Sequence, residues 1–223
     1  MNKPLTSVAR RATRLGAGGI CIALLLSGCA MPAPGARPAV YDFGPGPLNT
    51  AASRTDARLP ALVLEMVEAN PALDGTAMLY RLAYTDSQQL RPYALARWSM
   101  TPTQLLGQRL RDTLGQRHTV LRPGDETIAS ETPARQRPLA LRIELEEFSQ
   151  LFMAPGDSVG LLRLRATVVQ IDARATPLVA QRSFTVQRNA ASADAPGAAR
   201  ALSAATDAAL QELDQWLQEL GRP

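Results

Sequence analysis

Lysine and cysteine are almost absent from this chain, and both are confined to its first 30 residues. Lys3 is the sole lysine, so every later base is an arginine; biased genome composition explains that as well as any function does. The cysteines are Cys21 and Cys29, so nothing downstream can be closed by an internal disulfide or can hold a cysteine-ligated zinc. His118 is the single histidine, which excludes histidine-rich metal sites. Aromatics make up 4% of the 223 residues: Tyr41, Phe43, Tyr80, Tyr84, Tyr93, Trp98, Phe148, Phe152, Phe184 and Trp216. Trp98 and Trp216 adjoin faces that must be buried, so core packing is their expected role. No apolar run approaches the roughly 20 residues a membrane-spanning helix needs.

The amino terminus carries what the rest lacks. Lys3, Arg10, Arg11 and Arg14 form a positive stretch with no acidic residue before Asp42. A short apolar run, Ile20 to Leu26, follows and ends in Leu26-Ser27-Gly28-Cys29. A basic start, a short apolar core and small residues at the end predict a secretory signal peptide. The cysteine directly after Leu-Ser-Gly resembles the lipobox of bacterial lipoproteins. That resemblance implies cleavage between Gly28 and Cys29 and acylation of the Cys29 thiol, the only covalent group expected and no cofactor besides it. The residue after Cys29 is Ala30 rather than aspartate, which by the same resemblance sends the protein to the periplasmic face of the outer membrane, held there through its lipid.

Removing residues 1–28 changes the charge balance. The chain has 24 basic and 20 acidic residues, and four of the bases lie in the signal. The mature chain is left with 20 of each, so the basic character belongs to the signal and gives no reason to expect nucleic-acid binding. Residues 29–40 are the lipidated cysteine and a tether of small residues and prolines. Residues 41–223 are expected to make a single domain.

Within that domain the periodicity predicts strands. Tyr41 to Phe43 suits a short one. Leu62, Leu64 and Met66 alternate with Val63, Glu65 and Val67; in 76–84, Met78, Tyr80, Leu82 and Tyr84 share a face; 90–98 follows after a turn at 85–89, with Pro92 where an edge tolerates it. The "NPALDG" stretch at 70–75 is a turn signal. Thr101-Pro102-Thr103-Gln104 is a capping box with proline at the first helical position, and it opens a helix over 102–115. A short strand at 118–121 and a polar loop over 122–137 come next. Leu139, Leu141, Ile143 and Leu145 alternate with Arg142, Glu144 and Glu146, and further strands are expected over 158–172 and 178–187. Residues 198–220 predict an amphipathic helix with Leu202, Ala209, Leu213, Trp216, Leu217 and Leu220 on one stripe. The expected fold is α+β: a mostly antiparallel sheet with two helices packed on one face.

Chemistry is sparse. A serine–histidine–aspartate site would need His118 as base, but no G-x-S-x-G flags a nucleophile. Glu144, Glu146 and Glu147 form a carboxylate cluster; alternation puts Glu144 and Glu146 beside Arg142 on a solvated face, which competes with a glycosidase pair. No phosphate-binding glycine loop or dinucleotide fingerprint is present. No catalytic or metal-ligating set is assigned.

The order of features resembles the ABC-type transport auxiliary lipoproteins, the PqiC-like group. The resemblance rests on "MLYRLAYTDSQQLRPYALARWSMTPTQLLGQRLRDTL" at 78–114: a strand ending in Tyr80-Arg81, a strand carrying Arg97-Trp98, and a helix opened by Pro102. "LEEFSQLF" at 145–152 and the closing "ALQELDQWLQEL" add to it. Ser99-Met100 stand where the family usually has an acidic residue. The resemblance implies a non-enzymatic component of intermembrane lipid transport, working with an ABC transporter and an MCE-type periplasmic protein and docking the periplasmic conduit at the outer membrane. Homo-oligomerisation and the partner-contacting residues stay open. So do two other classes: an outer-membrane assembly lipoprotein or regulator of a cell-wall synthase, and a periplasmic hydrolase.

Overall fold

Among the described residues, nine strands join one mixed sheet and three α-helices accompany it. The structure is a computed structural model that describes residues 36–46, 59–125, 138–170 and 178–220. Gly28, Cys29 and most of the tether therefore lie outside the described residues, as does most of the polar loop at 122–137. The strands are β1 (Ala39–Tyr41), β2 (Leu59–Leu64), β3 (Glu68–Ala69), β4 (Ala77–Leu82), β5 (Ser87–Trp98), β6 (His118–Leu121), β7 (Leu139–Ala154), β8 (Asp157–Gln170) and β9 (Leu178–Asn189). The helices are α1 (Ala83–Asp86), α2 (Pro102–Leu114) and α3 (Ala195–Leu220).

β7 is the spine. On one side it pairs antiparallel with β8, which pairs antiparallel with β9. On the other side β2, β3 and β4 follow one another along it, all parallel: Leu62 opposite Leu139, Glu68 opposite Glu144, Tyr80 opposite Gln150. β2 also pairs parallel with β6, and β5 pairs antiparallel with β4 and parallel with β1. Five of these eight pairings are parallel, so the sheet is mixed and not mostly antiparallel as the alternation suggested. The reason is local. The 70–75 segment forms a 3-10 turn, Pro71–Leu73, with the Asn70 side chain accepting from the Ala72 N–H. The chain leaves it running in the direction it entered, so β4 continues along the same edge of β7. A period of two reads identically for either pairing.

Other expectations shift for similar reasons. Met78 and Leu79 are both buried, and so are Leu62, Val63 and Leu64, because parts of the sheet are covered on both faces. Tyr84 leaves the strand pattern to sit in α1, where it is exposed. β1 begins at Ala39, inside the segment read as tether. It pairs only with Ala96 to Trp98, so Pro92 falls on a stretch of β5 that has one free side, where its missing N–H is tolerated.

The two longer helices pack into one core with the sheet. α2 starts as its sequence dictates: Thr101 Oγ1 accepts from the Gln104 N–H, and the Gln104 side chain accepts from the Thr101 N–H. It buries Leu105, Leu106, Leu110 and Leu114. α3 covers the face of β8 and β9 that carries Leu162, Leu164, Ala166, Phe184 and Val186. Its first half is small residues against the sheet, Ala198, Ala201 and Ala205; its second half uses Leu213, Trp216 and Leu217. Gly160 of β8 makes the close approach possible, since a Cβ there would stand 2.6 Å from the carbonyl carbon of Ala201.

Candidate functional site

β7 carries a bulge between Leu145 and Glu147. Up to Leu145 the odd residues face the helices; beyond the extra residue Phe148 and Gln150 do. The bulge therefore lets consecutive glutamates both leave the core face. Glu146 pairs with Arg163 at 2.9 Å and with Arg165. Arg165 also reaches Glu144, and Arg142 donates to Glu65 at 2.8 Å. The carboxylate cluster is thus a lattice of cross-strand ion pairs, as a solvated face predicts.

Glu147 differs, because it is nearly buried. Arg81, at the end of β4, donates from Nε to Oε1 at 3.3 Å and from Nη2 to Oε2 at 3.0 Å, and the Ser149 hydroxyl donates to Oε1 at 2.6 Å. Nη1 of Arg81 donates to the carbonyls of Ser87 and Gln88. One guanidinium thereby ties β4, the β4–β5 reversal and β7 together, a bidentate use that lysine could not replace.

On the opposite face, Tyr80 packs at a tilt against Tyr93 with ring centroids 4.8 Å apart and meets Phe152 edge-on at 5.9 Å. The Tyr93 hydroxyl donates to Gln150 Oε1, and Gln150 Nε2 donates to Ser158 Oγ at 2.7 Å. Burial, helped by Tyr80 and Asp194, pushes the Tyr93 hydroxyl up to about 12. Nearby, Asp194 caps α3: its Oδ1 accepts from the Gly197 N–H at 2.8 Å and from the Ser192 hydroxyl at 2.6 Å. Those bonds, from Ser192 first, hold its carboxyl below the usual range.

The amino-terminal segment is clamped from within. Phe43 packs against both Trp98 and Phe148, at centroid distances of 5.7 and 5.9 Å, and those two rings also meet each other at 5.5 Å. Its carbonyl accepts from Arg109 Nη2 at 2.8 Å and from the Ser203 hydroxyl at 3.3 Å. Arg109, from α2, also stands 3.0 Å from Asp207 of α3. Gly46 has a positive φ of 71°, and a Cβ there would come 2.5 Å from the Arg109 guanidinium. Beside this clamp a groove of about 540 Å³ runs between Val40 to Gly44 and the Pro196 to Asp207 side of α3.

Trp98 is 1% exposed and Trp216 is 7% exposed, so both are core residues. His118 is also buried, with Nε2 4.0 Å from Asp214 Oδ1, while Asp214 Oδ2 accepts from Arg117 at 3.0 Å. Ser99 donates its N–H to the Tyr41 carbonyl at 2.7 Å, so the departure from an acidic residue there leaves the strand-to-helix junction in place. Among the described residues, no group of three or more histidines, cysteines or acids is placed to hold a metal. No described helix is long and apolar enough to cross a membrane. Arg109 and the Tyr93–Gln150–Ser158 relay had no role in the sequence reading. A signal existed for the second: "FSQLF" puts a glutamine on the apolar face of a strand, and a buried amide needs a partner.

A mixed sheet with two helices on its face, a Tyr-Arg strand end locked into the sheet and a proline-opened helix after Arg97-Trp98 make this an α+β domain. Residues 41–214 match the ABC-type transport auxiliary lipoprotein component, and the chain belongs to that PqiC-like family. Its fold is similar to that of protein XCC0632 from Xanthomonas campestris, a DUF330 protein, with 19% identity over 82% of this chain and 96% of that one and a TM-score of 0.64. An uncharacterized protein is similar at 12% identity over 82% of this chain and 99% of that chain, with a TM-score of 0.53. No curated protein matches the chain at a significant level. The family is that of a lipoprotein associated with an ABC transport system.

Proposed function

We propose that this protein is the non-enzymatic, lipid-anchored outer-membrane component of an MCE-type intermembrane lipid transport system, and that it docks the periplasmic conduit at the outer membrane. The observation that carries the reading is the family match across residues 41–214. Two others support it: the Tyr80-Arg81 and Arg97-Trp98 elements hold the domain's own strands, and the carboxylates that invited a hydrolase reading are engaged by arginines. Cys29 carries the lipid after cleavage from Gly28. The residues from Cys29 to the start of β1 at Ala39 reach about 35 Å when extended. The domain stays close to its membrane and the partner must come to it, with the anchor raising effective concentration.

In-cell photocrosslinking from surface positions of the domain tests this. Capture of an MCE-type protein, together with envelope stress sensitivity matching loss of that protein, is the expected result. Capture of a cell-wall synthase, with a phenotype that follows the synthase, would replace the transport reading with a regulatory one.

A further inference from the structure

β9 is the longest open edge among the described strands. It runs for twelve residues, Leu178–Asn189, and pairs with β8 alone. Alternate N–H and C=O groups of an antiparallel edge strand point away from its one neighbour, so β9 offers a row of them about 40 Å long. The edge strands β1 and β6 have three and four residues and offer far less. Long edges of this kind are templates for strand addition, and proteins blunt them with proline, bulges or charge. β9 contains no proline, no lysine and no acidic residue; its one register shift against β8 lies at its start, between Leu178 and Ala180, where Leu178 and Val179 are exposed apolar side chains.

Its charge is of one sign. Arg182 and Arg188 face Ala166 and Gly160 across the β8 pairing, so both lie on the helix-bearing side, six residues apart. The arginines of the other face, Arg142, Arg163 and Arg165, each hold a carboxylate. Arg182 and Arg188 hold none among the described residues. Arg182 is oriented instead by Phe184, with its guanidinium carbon 5.2 Å from the ring centroid, and Arg188 donates to the carbonyl of Gln187.

We propose that the free edge of β9 is a docking site for an extended, acidic segment of a partner protein, which adds as a further strand. Main-chain hydrogen bonds along the edge supply affinity, and two carboxylates six residues apart on one face of the incoming strand meet Arg182 and Arg188. The same arginines select against self-pairing, because a β9–β9 contact gathers four guanidiniums and no acid. The inference holds whatever the identity of the transport partner, so its failure and that of the transport reading are separate results.

The test uses the full chain and a synthetic ten-residue peptide of alternating threonine and valine, with two glutamates six positions apart. A second peptide has lysine in place of both glutamates. Amide hydrogen exchange is the readout. The glutamate peptide is expected to slow exchange of alternate β9 amides by about tenfold or more, and the lysine peptide to leave them unchanged. Protection is expected to fall as salt rises from about 0.05 M to about 0.5 M. The paired Arg182→Glu and Arg188→Glu variant is expected to reverse the preference between peptides. If that variant does not fold, the two peptides and the salt series on the unaltered chain decide alone. Absence of β9 protection, equal protection by both peptides, or a dimer formed through β9 would each overturn the proposal.

Discussion

Arg81 and Glu147 are 66 residues apart in sequence and share a two-pronged ion pair across the seam between β4 and β7. The pair exists because the bulge before Glu147 turns that residue off the core face, and because β4 runs parallel to β7 so that its last residues arrive beside it. Arg81→Ala removes this pair and two bonds to the β4–β5 reversal, leaving Glu147 with only the Ser149 hydroxyl. Breaking one side of a nearly buried pair costs about 3 kcal/mol. The denaturation midpoint is expected to fall accordingly, and Arg81→Lys is expected to recover less than half of the loss because lysine cannot form the fork.

Tyr93 provides a stability change at high pH. Its hydroxyl is raised from 10.0 to about 12, so between those values the folded state holds a proton that the unfolded state has released. Stability from this group is complete below pH about 10 and declines as pH rises toward 12. Ultraviolet titration is expected to show one late-ionising tyrosine. Tyr93→Phe should remove that late step and flatten the alkaline decline. At neutral pH it should cost about 1–3 kcal/mol, because Gln150 Oε1 loses its donor.

Trp98 is expected to act through packing. Its ring touches Phe43 and Phe148, while its backbone N–H donates to the Thr76 carbonyl, a bond alanine would keep. Trp98→Ala is expected to cost about 3–5 kcal/mol and to lower melting temperature and cellular abundance together. Loss of partner capture at unchanged melting temperature would assign Trp98 to an interface.

Cys29 is expected to be the only lipid-bearing residue. Cys29→Ala should abolish labelling by a fatty-acid probe and leave the precursor uncut or mislocalised, while the domain melts as before. Persistent labelling of that variant would place the anchor elsewhere.

Much of this architecture is written locally. The capping box at Thr101 sets where α2 begins because it satisfies the helix's own orphan N–H groups within four residues. The alternation of Leu141, Ile143 and Leu145, and the stripe from Leu202 to Leu217, mark faces that need burial whatever they meet. The Leu-Ser-Gly-Cys ending defines the expected anchor by its order alone. Tertiary structure decided the rest. Whether β4 runs parallel or antiparallel to β7 depends on the turn at Pro71–Leu73 and on which edge is vacant, and a two-residue period carries no information about either. The doubled glutamate at 146–147 interrupts the alternation, but only the bulge and the arrival of Arg81 and Arg163 determine where those charges go. Arg109 looks in sequence like any helical arginine; it becomes a clamp because Phe43 and Asp207 reach it from opposite ends of the domain. Local pattern states which side chains must leave water, whereas partner, direction and pairing arise from segments that meet only when the chain has folded.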